Sequence, residues 1–295
     1  MATTQLSTQP APSLWFICAA YVRTSEVWLH RQALGLKSFD TRVMTRERVN
    51  AAAYPASAIA VDVLPPRGEL PSGTSLQRMR GAVEKIFRRP DRFRGRSGER
   101  AWWTERLQSA APCVALCQFG DAAIHLLPLL REHHVPTVAH YHGYDISSKL
   151  ADRTYRTRLQ RALPHLAGSV VVAEYQRQRL LELGAQASTI RVIPCGVPIA
   201  EFEPSGFVEK QPCRFLSVGR FVDKKRHDLT IRAFAECQQA HPDSSLTIIG
   251  DGPNLAACQQ LAATLGISHN VHLLGARPID HVRRELHRAS AFVLH

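Results

Sequence analysis

The sequence predicts an α/β protein with two domains, each built on a parallel sheet that helices cover on both faces. Two observations carry this prediction. Eleven short apolar runs rich in β-branched residues recur along the chain with helical stretches between them, and strands that alternate with helices form parallel sheets. Seven runs precede residue 196 and four follow it, and a stretch rich in Pro, Gly and charge, "GVPIAEFEPSGFVEKQP", separates the two groups.

The predicted strands define the domain boundaries. They are "LWFICAA", "TRVMT", "AIAVDVL", "CVALCQF", "TVAHYH", "SVVVAE" and "IRVIPC", followed by "RFLSVG", "LTIIGDG", "VHLLG" and "AFVLH". We place a first Rossmann-like domain at 13–200, a linker at 201–212 and a second domain at 213–295. A doubly wound domain normally has more than four strands. We therefore expect the second domain to be incomplete and the chain to be part of a longer protein.

The composition is that of a soluble globular protein, since the 295 residues are 45% hydrophobic and 21% charged. No apolar run approaches the ~20 residues that a membrane span needs, so we predict a cytoplasmic protein. The seven cysteines include no Cys-x-x-Cys pair, and we interpret them as reduced core residues. The 14 histidines are scattered rather than paired at ligand spacing, so we expect no metal site.

The net charge of +12 predicts an acidic partner: nucleic acid, anionic lipid or a phosphorylated small molecule. Residues 78–106 hold ten Arg or Lys against four Asp or Glu, so half of the excess charge lies in this segment. Its part "LQRMRGAVEKIFRR" places apolar residues on one side of a predicted helix, a pattern typical of contact with an anionic membrane surface. The alternative is a solvated helix whose apolar stripe faces its own core.

A cluster of cations follows the first strand of the second domain, in "SVGRFVDKKRHDLTIRAFAE" at 217–236. Arg220 lies at the carboxyl end of the strand, and Lys224, Lys225 and Arg226 lie just ahead of a predicted helix. Ligands of open α/β sheets bind beyond the carboxyl ends of strands, and the N–H groups at a helix amino terminus favour phosphate. Arg220 and Lys225 would together neutralise a diphosphate. The alternative is a solvated charge run.

A second candidate lies in "AHYHGYDIS", where His142 ends a predicted strand and Gly143 follows it. A histidine at this position could bind a substrate hydroxyl or stabilise developing charge. The alternative is a core histidine with its hydrogen bonds satisfied, and His140 on the same strand face weakens the signal. We predict that Asp145 caps the following helix rather than acting as a base.

Six segments, taken together and in order, resemble the retaining GT-B glycosyltransferases of family four (glycosyltransferase group one), especially the branch that builds exopolysaccharides and colanic-acid-like polymers. The resemblance runs from about residue 14 to the end of the chain. The segments are "AHYHGYDIS", "VVVAEYQRQRLLELGA", "IRVIPCGVP", "SVGRFVDKKRHDLTIRAFAE", "LTIIGDGPNL" and "VHLLGARP".

The resemblance implies an enzyme with its acceptor on the first domain and a nucleotide-sugar donor on the second, with the two sheets facing a cleft. It would transfer a hexosyl group with retention of configuration to a saccharide or lipid-linked acceptor, without a metal and without any cofactor. Gly219, Arg220 and Lys225 correspond to the residues that hold the donor diphosphate. His142 corresponds to the histidine close to the transferred sugar.

The resemblance also implies residues for the nucleotide base and for the acceptor. Gly275, Ala276 and Arg277 would lie beside the base, and "RTSEVWLHRQ" places Ser25 and Glu26 on the acceptor side. The sequence departs from the family pattern at three further positions: Arg226 replaces a usual Gly, Gln118 a typical His and Ala173 a frequent Ser. The family's paired glutamates would come after His295, which puts donor binding and activity by this chain alone in doubt.

Three other functions remain open on the sequence. One is a GT-B epimerase or hydrolase acting on nucleotide sugars, although no pair of carboxylates at glycosidase spacing is identifiable. Another is a basic nucleic-acid-binding protein, which only the charge supports, since no binding module is recognisable. The third is an inactive truncated chain. We favour the glycosyltransferase, located in the cytoplasm and peripherally attached to the inner face of the membrane through 78–106, with no nucleic acid as partner.

Overall fold

The computed structural model describes residues 10–23, 26–66, 68–70, 93, 95, 98–203 and 213–295. The chain forms two compact units, the first ending at Cys195 and the second beginning at Gly196. The predicted linker at 201–212 lies largely outside the described residues, so its bounds stay a prediction.

Seven parallel strands form the sheet of the first unit, and all seven coincide with predicted apolar runs. They are β1 Ser13–Tyr21, β2 Asp40–Arg48, β3 Ala60–Val63, β4 Val114–Gln118, β5 Thr137–Tyr141, β6 Gly168–Val171 and β7 Ile190–Val192. Their order in the sheet is β3-β2-β1-β4-β5-β6-β7, and each neighbouring pair is parallel. The described helices of this unit are α1 Trp28–Gly35, α2 Glu99–Ala110, α3 Gly120–Glu132, α4 Arg153–Ala162 and α5 Glu174–Glu182.

The central strand β1 is buried along almost its whole length, because both faces of a parallel sheet are covered. Successive side chains of a strand point to opposite faces. Trp15 and Ile17 accordingly belong to one hydrophobic core, and Leu14 and Phe16 belong to another. The strand order runs outward from β1 through β2 and β3 on one side and from β4 through β7 on the other, so the switch lies between β1 and β4. Ligands bind beyond the carboxyl ends of the strands at such a switch in doubly wound folds. The residues after β4 lie at this switch, and those after β5 lie one strand further along the same edge.

Four parallel strands form the sheet of the second unit, again at the predicted runs. They are β8 Arg214–Val218, β9 Ser245–Ile249, β10 Val271–Leu273 and β11 Ala291–Phe292, in the order β10-β9-β8-β11. The helices are α6 His227–Ala240, α7 Leu255–Thr264 and α8 Ile279–Arg288. Phe221, Ile231 and Ile248 centre the larger core, whereas Leu216 and Ile249 face α8 in a smaller one.

The prediction that all cysteines lie in the core is wrong for part of the set. Cys18, Cys117 and Cys258 are buried, but Cys113 and Cys195 are exposed. Both exposed cysteines lie just outside a strand: Cys113 is one residue before β4, and Cys195 is three residues after β7. The apolar run in the sequence is longer than the strand itself at both places. All seven cysteines are free thiols.

The predicted basic membrane segment lies mostly outside the described residues. Of 78–106, the structure describes Phe93, Gly95 and 98–106, and the helical part "LQRMRGAVEKIFRR" is not among them. Within the described part, α2 buries Trp102 and Trp103 in the core of the first unit. No helix in the described ranges is long and apolar enough to cross a membrane.

Three glycines lie side by side at the carboxyl edge of the second sheet, and we call them the glycine row: Gly219, Gly250 and Gly275. Gly219 donates its N–H to the carbonyl of Ile249 at 2.9 Å, and Gly250 donates to the carbonyl of Gly275 at 3.0 Å. A Cβ on Gly250 would lie 1.8 Å from the carbonyl oxygen of Gly219, so no side chain fits there. The ends of β8, β9 and β10 therefore lie next to each other, with no side chain on the glycine of each.

Replacing Gly250 with Ala should destabilise the second unit by about 3 kcal/mol or more, because the added methyl group overlaps backbone that cannot move aside cheaply. The control is Gly266→Ala, since Gly266 has φ +71° but nothing within 4 Å of its would-be Cβ, and should cost only about 1 kcal/mol. Urea denaturation measures both. Equal losses for the two variants would contradict the close approach.

Candidate functional site

Backbone hydrogen bonds and a buried phenylalanine fix the loop after β8, and Arg220 in this loop is exposed. Phe221 is fully buried, and its backbone N–H donates to Asp251 at 2.9 Å while its carbonyl accepts from Asn254 at 3.1 Å. These bonds tie the loop to the β9–α7 turn on both sides of one residue. Arg220 is therefore held two residues beyond the strand with its side chain exposed.

The predicted cations lie directly ahead of a helix. Residues Asp223–Lys225 form one 3-10 turn, and α6 begins at His227. Arg226 pairs with Asp228 through two hydrogen bonds of 3.1 and 3.0 Å, and this guanidinium lowers the pKa of the Asp228 carboxyl. The charge of Arg226 is thus already balanced by a neighbour.

Arg220 and Lys225 differ from Arg226 in this respect. Among the described residues, neither forms an ion pair with a carboxylate, and Asp223, the nearest acid in sequence, instead accepts from the Asn254 amide at 2.7 Å. Lys225 is half-buried, and its Cδ lies near Gly219 of the glycine row. Two unbalanced cations at the amino end of a helix make this edge of the second sheet suited to an anion.

His227 fixes the backbone of the glycine row and was missed by sequence reasoning. It is the first residue of α6, it is buried, and its Nε2–H donates to the Gly219 carbonyl at 3.2 Å. Its ring packs on Phe221 with centroids 4.6 Å apart. Burial lowers the pKa of His227, so the ring stays neutral and adds no charge. Its only sequence signal is a polar residue that follows the cationic run.

The residues expected beside a nucleotide base lie at the same edge. Gly275 follows β10 with φ +71° and joins the glycine row through its carbonyl. Ala276 and Arg277 come next, and both are exposed. The structure thus brings Gly219, Arg220 and the segment 275–277 to one edge of the second sheet.

His142 lies in a second strand-end site, in the first unit, directly after β5. Its Nε2 is 2.8 Å from Oε1 of Gln118, the last residue of β4. Its ring packs between Trp28 at 4.2 Å and Phe119 at 4.7 Å, measured between centroids. The ring is half-buried, so part of it remains available to a ligand.

Both histidines of this strand are neutral at physiological pH. Burial lowers the pKa of His142 to about 3, with a further contribution from His140, and burial lowers the pKa of His140 to about 4. The two rings lie 4.1 Å apart, and Gln32 bonds to Nδ1 of His140 at 3.0 Å. His142 is therefore a hydrogen-bonding group here rather than a cation.

The prediction that Asp145 caps the following helix is wrong. Its carboxylate is buried and accepts the backbone N–H groups of Gly120 and His142, each at 3.0 Å. Gly120 is the first residue of α3, so Asp145 satisfies the amino end of a helix that precedes it in sequence. Asp152 caps α4 instead. Sequence spacing reveals a cap only when the capping residue lies next to its helix, and Asp145 and Gly120 are 25 residues apart in the sequence.

Of the two residues predicted on the acceptor side, the structure describes one. Ser25 lies outside the described residues, and Glu26 is half-buried just before α1, with its backbone N–H donating to Arg23 at 2.7 Å. The same helix supplies Trp28 and Gln32 to the histidine site, which sequence reasoning did not identify. Their spacing of four residues, one helical turn, is the signal that was present.

Comparison with known families decides the identity. The profile described as Glycosyltransferase Family 4 matches residues 50–201, about half of the chain. The chain belongs to this family. A second profile, Glycosyl transferases group 1, matches residues 199–295, so the two profiles follow each other along the chain with the boundary near the division between the two units.

Two of the curated relatives are named for the transfer of a sugar and for its product or donor. The amylovoran biosynthesis glycosyltransferase AmsK of Erwinia amylovora is 28% identical over 190 residues, which are 61% of this chain and 45% of that protein. The GDP-mannose-dependent alpha-(1-6)-phosphatidylinositol monomannoside mannosyltransferase of Mycolicibacterium smegmatis is 27% identical over 165 residues, 53% of this chain and 42% of that one. The chain therefore spans less than half the length of either relative.

The solved structures confirm the predicted GT-B fold class. Anabaena HepE, crystallised with UDP and glucose, matches with a TM-score of 0.73 at 14% sequence identity, over 95% of this chain and 73% of its own. WaaG, a glycosyltransferase of lipopolysaccharide biosynthesis, matches with a TM-score of 0.61 at 16% identity, over 95% and 74%.

The two neutral histidines should make the protein lose stability on acidification. Their folded pKa values lie below the unfolded value of about 6.5, so the unfolded state binds more protons as the pH falls from about 7 to 4, and the free energy of unfolding decreases. His140→Asn and His142→Asn should each lessen this decrease, by up to about 1.4 kcal/mol per pH unit. Urea denaturation between pH 8 and 5 measures it, and the pH 8 values give the packing cost of each substitution. Unchanged slopes in both variants would contradict the burial of neutral rings.

Proposed function

We propose that the whole protein transfers a hexosyl group from a nucleoside-diphosphate sugar to a saccharide or lipid-linked acceptor, with retention of anomeric configuration and without a metal or other cofactor. The observation that carries the proposal is the pair of unbalanced cations, Arg220 and Lys225, beside the glycine row in a member of glycosyltransferase family 4. An anion of two linked phosphates suits two cations and a helix amino terminus.

The same residues explain how the reaction would be accelerated. When the bond between the sugar and the diphosphate breaks, negative charge grows on the departing oxygen. Arg220, Lys225 and the N–H groups of α6 would stabilise that charge more strongly than the charge of the intact donor, which lowers the barrier. In this proposal the cations supply what a divalent metal supplies in other transferases.

The glycine row supports the placement of the donor. The missing side chain of Gly250 lets the end of β9 lie directly against the Gly219 carbonyl, and glycine backbone lets phosphate or sugar approach closely. Arg277 and the backbone of Gly275 and Ala276, at the same edge, would contact the nucleotide base.

The names of the relatives support the choice of substrates to test. The structural relative HepE was crystallised with UDP-glucose, and one curated relative is named as GDP-mannose-dependent. Two relatives are named for a phosphatidylinositol monomannoside and for amylovoran, which supports a lipid-linked or polysaccharide acceptor. A lipid-linked acceptor would require action at a membrane surface, and we propose peripheral attachment at its cytoplasmic face.

On the first unit, His142 would meet the transferred sugar, and Ser25 and Glu26 would lie on the acceptor side. A neutral, half-buried imidazole flanked by Trp28 and Phe119 suits a sugar, which combines apolar C–H faces with hydroxyl groups.

The test is sugar-nucleotide binding and turnover with three variants. Arg220→Ala and Lys225→Ala should each weaken binding of UDP-glucose or GDP-mannose about 10- to 100-fold, because each removes a charged hydrogen bond worth about 1.5–3 kcal/mol. Thermal stabilisation by ligand measures binding, and release of the nucleoside diphosphate in the presence of acceptor measures turnover.

Lys224→Ala is the matched control, since Lys224 is an exposed cation in the same turn and its removal should change binding less than threefold. If Lys224→Ala and Lys225→Ala weaken binding equally, the sugar nucleotide responds only to the overall positive charge of the turn, and the specific role of Lys225 is contradicted. Release of free hexose, or of an epimerised sugar nucleotide, without acceptor would favour the hydrolase or epimerase instead.

A further inference from the structure

A buried glutamine lies within hydrogen-bond distance of the His142 ring. Gln118 is fully buried at the end of β4, and its Oε1 faces Nε2 of His142 at 2.8 Å. An amide oxygen only accepts hydrogen bonds, so the neutral imidazole carries its proton on Nε2. The other ring nitrogen, Nδ1, then presents a lone pair.

The surroundings keep this ring neutral. Trp28, Phe119 and His140 pack against it as uncharged rings. The nearby Asp145 carboxylate accepts backbone N–H groups, including that of His142 itself, rather than bonding to the imidazole. Within the described residues no carboxylate bonds to the ring, so none stabilises the doubly protonated form.

Gln118 is poorly suited to a purely structural role. Its amide nitrogen is buried without a hydrogen-bond partner among the described residues, and so is Nε2 of the neighbouring His140. A buried polar group without a partner costs about 1–3 kcal/mol, whereas an apolar side chain of the same size would avoid that cost. The one side-chain hydrogen bond of Gln118 within the described part of the chain is the bond to His142.

We propose that Gln118 is a positioning residue that turns His142 Nδ1 into a hydrogen-bond acceptor, and that this selects a neutral sugar hydroxyl over a carboxylate. A hydroxyl donates to Nδ1, whereas a carboxylate offers only lone pairs and is repelled. The selection of the sugar rests on the proposed function, because it assumes that His142 meets the substrate. The assignment of the tautomer does not.

Nitrogen NMR of the ring, on the 15N-labelled full chain at pH 6 to 7, tests the positioning directly. We expect a neutral His142 with a hydrogen-bonded Nε2–H and an unprotonated Nδ1. Gln118→Glu should place a carboxylate against Nε2 and raise the pKa of His142, so that both nitrogens are protonated at the same pH. Gln118→Met, which keeps the volume, should leave the ring neutral but abolish the hydrogen-bonded Nε2–H signal.

A proton on Nδ1 in the native chain would overturn the proposal, and so would an unchanged His142 spectrum in Gln118→Glu. Both results are read without substrate, so they are independent of whether the protein transfers sugar.

The selectivity is tested with UDP-glucose and UDP-glucuronate, which differ in a hydroxyl against a carboxylate. The native chain should bind the neutral sugar at least tenfold more tightly, and Gln118→Glu, with its cationic imidazole, should reduce that preference. Equal affinity of the native chain for the two would overturn the selectivity. The same comparison is made with the whole protein. If the whole protein binds neither sugar nucleotide, nor the corresponding guanosine sugars, the proposed function is overturned and the selectivity with it, while the tautomer is decided by the NMR alone.

Discussion

The close approach of Gly250 to the Gly219 carbonyl is the constraint on which the second unit depends. It draws the ends of β8 and β9 together so tightly that no Cβ fits, and the hydrogen bond from Gly250 to Gly275 extends the same edge to β10. The His227 ring also donates a hydrogen bond to the Gly219 carbonyl. Arg220 and Lys225 lie next to this edge, and the proposed function takes the two cations and the backbone together as the site for a diphosphate.

The histidine site of the first unit follows a different principle. Its groups are uncharged: two neutral imidazoles, two amides and two aromatic rings, with the one nearby carboxylate bound to backbone N–H groups. Asp145 links the start of α3 to the end of β5, which fixes the strand ends from which Gln118 and His142 project. In the proposed reaction the second unit would supply charge for the leaving group, and the first would supply a neutral hydrogen bond to the sugar.

Much of this architecture was predictable because it is local. Each strand is an apolar run with turn residues beside it, and the cations at 224–226 precede an amphipathic helix within the same twenty residues. The proposal that Arg220 and Lys225 bind an anion required no knowledge of distant residues. The contacts that sequence reasoning missed join segments far apart: Asp145 to Gly120, Gln32 to His140, and Gln118 to His142. Nothing in the spacing of these residues encodes their pairing, because the sheet order alone brings them together.

The central claim is that the glycine row and its two cations hold a diphosphate. Phosphorus NMR of UDP and of GDP, titrated with the whole protein, tests this most directly, because each phosphate gives its own resonance. We predict that both phosphate resonances of at least one nucleotide shift and broaden on binding, and that the same resonances stay unperturbed by the whole protein with Arg220→Ala and Lys225→Ala combined. Unshifted phosphate resonances with both nucleotides, at concentrations where the protein is in excess, would contradict the account.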